Sequence, residues 1–222
     1  MIDFQLIIQS LPSLLRASLV TLEIAAGALF MGLVGGTLLG ILQTGPNRLV
    51  RTSVAFYTTL IRGTPMLIQI MFLYYVLSVH FNISAFAAAL LAIGLNSSAY
   101  ISQVIRSGIL AVNRGQIEAA KTLGIGRYDL LRYIILPQAF RTILPALGNE
   151  AITLVKDSSL ASLIGVVELY KQGQIIMSQT LDALSIYCIL AIIYLIITSS
   201  ISYLLHYFEK RLHRHVKNYP SF

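Results

Sequence analysis

From Gly63 to the residue before Arg106 the chain carries no Lys, Arg, Asp or Glu. A membrane-spanning helix takes roughly 20 residues, so this run is long enough for two spans. His80-Phe81-Asn82-Ile83-Ser84 is the natural hairpin between them. A second uncharged run, from Ile24, closes at Gly45-Pro46-Asn47, a helix stop. Composition agrees: 11% of residues are charged and 56% hydrophobic, whereas soluble domains carry about 25% charged residues. These runs predict an all-α integral membrane protein with five transmembrane helices, at 24–47, 57–79, 85–110, 142–167 and 183–208. The fourth stretch is apolar yet contains Glu150, Lys156 and Asp157. The expected organisation is an extracytoplasmic or interfacial segment (1–16), one transmembrane domain (17–208) and a basic cytoplasmic tail (209–222).

Five spans put the termini on opposite sides of the membrane. With the N-terminus outside, the inner side receives Arg48, Arg51, Arg62, the bases from Arg114 to Arg141, and Lys210, Arg211, Arg214 and Lys217. The outer side keeps Arg16 and Lys171. Cytoplasmic excess of Lys and Arg is the usual determinant of orientation, so the C-terminus is expected inside. The net charge of +7 is therefore spent on topology. The bases punctuate apolar runs and form no patch interleaved with aromatics, which argues against nucleic acid. Cys188 is the single cysteine, which excludes an internal disulfide and a multi-cysteine metal site. Met1-Ile2-Asp3 is not basic and Pro12 and Arg16 interrupt the first apolar run, so no cleavable signal peptide is expected. His206, His213 and His215 accompany a basic tail suited to anionic headgroups.

Gly32, Gly36 and Gly40 recur every fourth residue in the first span, a face that lets another helix approach closely. Gly115-Gln-Ile-Glu-Ala-Ala120-Lys121-Thr122 nearly spells a phosphate-binding loop. Its second glycine is replaced by Ala120, and no strand-like segment precedes it, so ATP binding by this chain is not expected. The same residues fit a different spacing in full: Glu118-Ala119-Ala120, three residues, Gly124, nine residues, Ile134, one residue, Leu136-Pro137. Physically this is a short helix of good formers with small faces, terminated by Gly124 and Gly126. Leu130, Leu131, Ile134 and Ile135 would reattach it, and Pro137 would end that segment before the fourth span.

This pattern resembles the cytoplasmic coupling loop of permeases in bacterial type I ABC importers. Arg62-Gly63-Thr64-Pro65, Leu95-Asn96-Ser97-Ser98-Ala99-Tyr100, Leu136-Pro137-Gln138-Ala139 and Lys156-Asp157-Ser158-Ser159-Leu160 are similar to the polar amino-acid branch of that family. The resemblance implies a bacterial inner-membrane permease that pairs with a copy of itself or a related permease. It also implies two cytoplasmic ATPase subunits and an extracytoplasmic substrate-binding protein as partners. ATP is then bound by the partners; this chain carries no cofactor and no catalytic residue. Glu118, Ala119, Ala120 and Gly124 would couple the ATPase to the spans.

The candidate substrate residues are Glu150, Asp157, Asn96 and Thr64. Glu150 and Asp157 are seven residues apart, two helical turns or about 10 Å along one face. Ionised groups are costly in the bilayer, roughly 2.5–3.5 kcal/mol at its centre. Such a pair could line a cavity and attract a cation, with a slight preference for a basic amino acid such as arginine over glutamine, glutamate or another polar amino acid. The alternative is that Lys156 and Asp157 balance each other at the outer interface. Asn96 could bind an α-amino or α-carboxylate group or join helices. Thr64 lies where a broken helix start would offer free N–H groups to a carboxylate; Arg62 is read as an interfacial anchor. Two other classes stay open on the residues alone: an ion-coupled carrier using the buried acids, and a membrane scaffold that binds a partner without transport.

Overall fold

The computed structural model describes residues 2–214. The chain is helical, with no strand among the described residues. Helix α1 (Phe4–Thr44) is followed by α2 (Arg48–Arg62), α3 (Met66–Phe81), α4 (Ala85–Leu110) and α5 (Arg114–Thr122). Short α6 (Arg127–Asp129) runs through a π-helical turn (Leu130–Ile135) into α7 (Leu136–Asp157). A 3-10 stretch (Ser158–Ile164), α8 (Leu169–Thr180) and α9 (Ala183–Arg214) complete the order. Tail residues 215–222, including His215 and Lys217, lie outside the described residues.

Neighbouring side chains fix the direction of each helix. Gly32, Gly36 and Gly40 of α1 face Ser97, Ile101 and Ile105 of α4 in ascending order, so these two helices are parallel. Asp3 N–H donates to Ser185 Oγ at 2.8 Å, setting the starts of α1 and α9 side by side. Gly108 meets Ile143, while Ser97 bonds Glu150, so α7 runs against α4. The chain thus ascends on α1, α4 and α9 and returns along α2–α3 and α7. The segment joining α4 to α7 lies at the same end as the α1–α2 joint.

Packing explains the small residues. A Cβ at Gly36 would stand 2.7 Å from Ile101 Cβ and 2.9 Å from the Ser98 carbonyl oxygen. Without the glycine the two backbones could not approach this closely. In lipid, where apolar burial between helices gains little, such close dispersion contact holds helices together. Ile24, Ala28, Ile70, Ala88, Ala92, Ile93, Leu154 and Val155 extend the core across α1, α3, α4 and α7.

Three helices are each long and apolar enough to cross a membrane: α1, α4 and α9 through Arg211. The expected second span is not one straight helix. It divides at Gly63-Thr64-Pro65 into α2 and α3, which meet at 101°. Pro65 has no N–H to continue the ladder and disfavours a helical Thr64 before it. Taken together, the pair would be a fourth candidate span. The first helix also begins at Phe4, capped by Asp3 Oδ1 on the N–H groups of Gln5 and Leu6. It passes through Pro12, and its extent exceeds the uncharged run at 24–47.

Pro137 does not end a segment, as the sequence had implied. It sits at the first turn of α7, and the helix continues through it. The π-helical turn immediately before supplies the reason. There Leu136 N–H reaches back to Leu131 C=O, one residue further than in an α-helix, and this wider register accommodates the missing proline N–H and the ring.

At the opposite end, Glu168 is fully buried and gathers three parts of the fold. Its carboxylate accepts from the N–H groups of Tyr170 (2.9 Å) and Lys171 (2.8 Å), from Tyr194 O–H (3.1 Å) and from Thr21 O–H (3.4 Å). It therefore caps α8 and ties it to α1 and α9. Glu168→Ala leaves these donors unmatched and should destabilise the protein by about 2–4 kcal/mol. Glu168→Gln, which keeps an accepting oxygen, should lose less; thermal unfolding in detergent measures both.

Candidate functional site

The break between α2 and α3 opens a cavity of about 430 Å³. Thr64, Asn96, Glu150 and Asp157 all line it, with Arg62, Gly63, Pro65, Met66, Tyr100 and Thr153. The four substrate candidates come from three separate parts of the chain: the joint, the middle of α4 and the last turns of α7. Lys156, the proposed counter-charge of Asp157, is not among the lining residues.

Each polar group is held by a specific partner. Glu150 Oε1 accepts from Ser97 O–H at 2.9 Å, and Ser97 is itself fully buried. Asn96 Nδ2 donates to Gln69 Oε1 at 2.9 Å, so Asn96 both lines the cavity and joins two helices. Gln69 Nε2 reaches Ile61 C=O at 2.6 Å and Thr64 Oγ1 at 2.8 Å. One side chain thus satisfies backbone freed by the break and fixes Asn96. The Thr64 hydroxyl hydrogen bonds Leu60 C=O at 3.0 Å, leaving its oxygen to accept. Pro65, at the cap of α3, supplies no side-chain hydrogen bond, and α3 presents its start at the cavity with Met66 in the wall. Free N–H groups at such a start favour a carboxylate.

The wall is therefore chemically divided. Two carboxylates stand on α7, and the α3 start and the Arg62 guanidinium stand across the joint. Arg62 lies 5.0 Å over the centre of the Tyr100 ring, within cation–π range. It is a cavity residue, where the sequence suggested only an interfacial anchor. Sequence reasoning passed over Gln69 and Ser97. Gln69 had a visible signal, being the polar residue in Met66-Leu-Ile-Gln-Ile-Met-Phe-Leu. Ser97 had none, because small polar residues are common in helix packing.

The segment expected to couple, from Glu118 to Gly124, lies at the far end of α4. Helix α5 starts at Arg114, earlier than the expected Glu118, because Asn113 Oδ1 caps it by accepting from Gly115 N–H at 2.8 Å. Gly115 to Thr122 is thus a helix, which is incompatible with a phosphate-cradling loop there. Glu118 and Ala119 are exposed, and Ala120 faces inward. Gly124 adopts a left-handed φ of +75°. Gly124 N–H donates to Lys121 C=O and Ile125 N–H to Ala120 C=O, both at 3.0 Å, closing the helix with the two reverse bonds of a Schellman motif. Leu123 (79% exposed) and Tyr128 (67% exposed) extend outward beside this end. The segment presents a short helix and a rim of uncovered apolar side chains.

Residues 32–214 match the family model of the binding-protein-dependent transport system inner membrane component. The glutamine transport system permease protein of Escherichia coli K12 is 39% identical over 213 residues, covering 95% of this chain and 97% of the relative. Its namesake in Shigella flexneri matches to the same extent. Among solved structures, an amino acid ABC transporter with histidines superposes with a TM-score of 0.89 at 38% identity, covering 95% of this chain and 99% of that one. The MetNI methionine ABC transporter in an inward-facing conformation shares the fold, with a TM-score of 0.79 at 21% identity over 90% of this chain and 95% of that one. The chain belongs to the binding-protein-dependent inner-membrane transport components, in the branch of ABC importer permeases for polar amino acids.

Proposed function

We propose that this permease carries glutamine, or a closely similar polar amino acid, into the bacterial cytoplasm through the cavity at the α2–α3 joint. The observation that carries this reading is the gathering of Thr64, Asn96, Glu150 and Asp157 around one cavity. An α-ammonium group suits the carboxylates of α7, and an α-carboxylate suits the start of α3 and Arg62. A neutral amide side chain then needs hydrogen bonds, which Asn96 and Thr64 supply. The slight preference for arginine finds no support in the relatives above, which are named for glutamine; glutamine takes its place.

In this reading the chain crosses the inner membrane five times, N-terminus outside. The alternation of three parallel helices with two returns, and the gathering of bases at one end, support it. The transporter holds two ATPase subunits, one of them docked on α5 and its exposed rim; a second permease completes the channel, and a binding protein delivers the amino acid from outside. ATP hydrolysis takes place in the partners.

The test is uptake by the complete transporter in proteoliposomes. Loss of one charge-assisted hydrogen bond is worth about 1.5–3 kcal/mol, so Glu150→Gln and Asp157→Asn should each reduce glutamine uptake at least tenfold. If the carboxylates hold the α-ammonium, arginine uptake, where present, falls equally. Glutamine uptake within twofold of wild type in both variants would remove the pair from the path.

A further inference from the structure

A second cavity, of about 590 Å³, adjoins the first at Arg62 and Gly63 and lies toward the coupling segment. Gln43 from the end of α1, Arg51 and Thr58 from α2, and Gln103 and Arg106 from α4 line it. Three guanidinium groups enter the wall, and no Asp or Glu does. Its amides also favour an acceptor. Gln103 Nε2 donates to Gln43 Oε1 at 3.1 Å, while Gln43 Nε2 is buried with no hydrogen-bond partner. A chamber so rich in donors selects a compact oxyanion, and cationic side chains hold a carboxylate through charge-assisted hydrogen bonds.

We infer that this chamber is an exit station that receives the α-carboxylate of the amino acid after it leaves the first cavity. Rested on the functional reading above, the inference adds a sequence of events. Arg62 lines both cavities, so the carboxylate passes from Arg62 to Arg51 and Arg106 while the ammonium is released from the acids of α7. The succession from an acidic to a basic wall favours one direction of travel for a zwitterion, carboxylate leading. Neither Arg51 nor Arg106 lines the first cavity, so their effects separate from those of initial binding.

The complete transporter, with its ATPases and binding protein, is reconstituted in neutral phosphatidylcholine and supplied with glutamine. Arg51→Gln combined with Arg106→Gln should lower turnover about tenfold at saturating glutamine, a loss of about 1.4 kcal/mol. The concentration giving half-maximal uptake should change less than twofold. Lysine at both positions should restore at least half of the turnover, which a merely structural role in arginine packing would not permit. Turnover within twofold of wild type in the glutamine pair overturns the inference, as does failure of the lysine pair to rescue a variant that still elutes as an intact complex. An effect confined to bilayers containing phosphatidylglycerol also overturns it, in favour of a headgroup phosphate in the chamber. A wild-type transporter that carries no amino acid refutes the functional reading itself; any of the other results leaves that reading standing.

Discussion

Gly124→Asp should abolish uptake, by more than tenfold, while the protein inserts and folds normally. The two halves of this result have separate causes. A Cβ at position 124 would meet nothing within 4 Å, so no contact inside the chain is disturbed. The left-handed φ of +75° costs an aspartate only about 1 kcal/mol, because its short polar side chain tolerates that region. The position is nevertheless the exposed end of α5, beside Leu123 and Tyr128. A new carboxylate there enters the apolar rim on which, in the proposed function, an ATPase docks, and burying it unpaired is expensive. The measurement is ATP-driven uptake beside stimulation of ATPase activity by the delivered amino acid. Full uptake by the variant would sink the coupling role; poor expression would place the defect in folding instead.

Gly36→Leu should fail at the earlier stage. The first carbon added already stands 2.7 Å from Ile101 and 2.9 Å from a backbone oxygen of Ser98. A side chain can turn aside, but α4's backbone can yield only if the two helices part. Separation breaks the same seam at Gly32 and Gly40, which face α4 on the same side. The expected loss exceeds about 3 kcal/mol, seen as degradation in cells and a collapsed melting temperature in detergent. Gly36→Ala meets the same first contact and should already be destabilising. Wild-type stability of the leucine variant would show that α1 and α4 do not pack as described.

Much of this organisation is legible in the residues. Charge-free runs mark α1, α4 and α9, and the spacing from Glu118 to Pro137 marks the short α5 helix with its glycine turn. Thr64, Asn96, Glu150 and Asp157 each stand out as polar residues where lipid discourages them, and the fold gathers them at one cavity. What hydropathy cannot reveal is direction. The run from Arg48 to Phe81 has enough apolar residues for a span, yet Pro65 turns it by 101°. Periodicity likewise cannot distinguish a proline that stops a helix from one tolerated by a π turn, as at Pro137. Glu168 was missed for a different reason. Its partners, Thr21 and Tyr194, are far away in sequence, and only the folded chain reveals a buried carboxylate with every donor in place.

The prolines of the returning helix set a limit on how the cavity can change shape. Pro137 sits at the first turn of α7 and Pro145 in its interior, where the missing bond is a place a helix bends readily. Glu150 and Asp157 both lie beyond the second proline, on a stretch with no further interruption before Ser158. The helix therefore keeps their backbone positions in one register, about 10 Å apart along its axis. In the proposed function, a pull from α5 would swing that stretch as a unit. Capture and release, in the same proposed function, would then fall to the opposite wall, where Gln69 pins Asn96 and the α2–α3 corner together. The proposed grip on the amino acid would be set by how far that corner moves along a helix that keeps its own register.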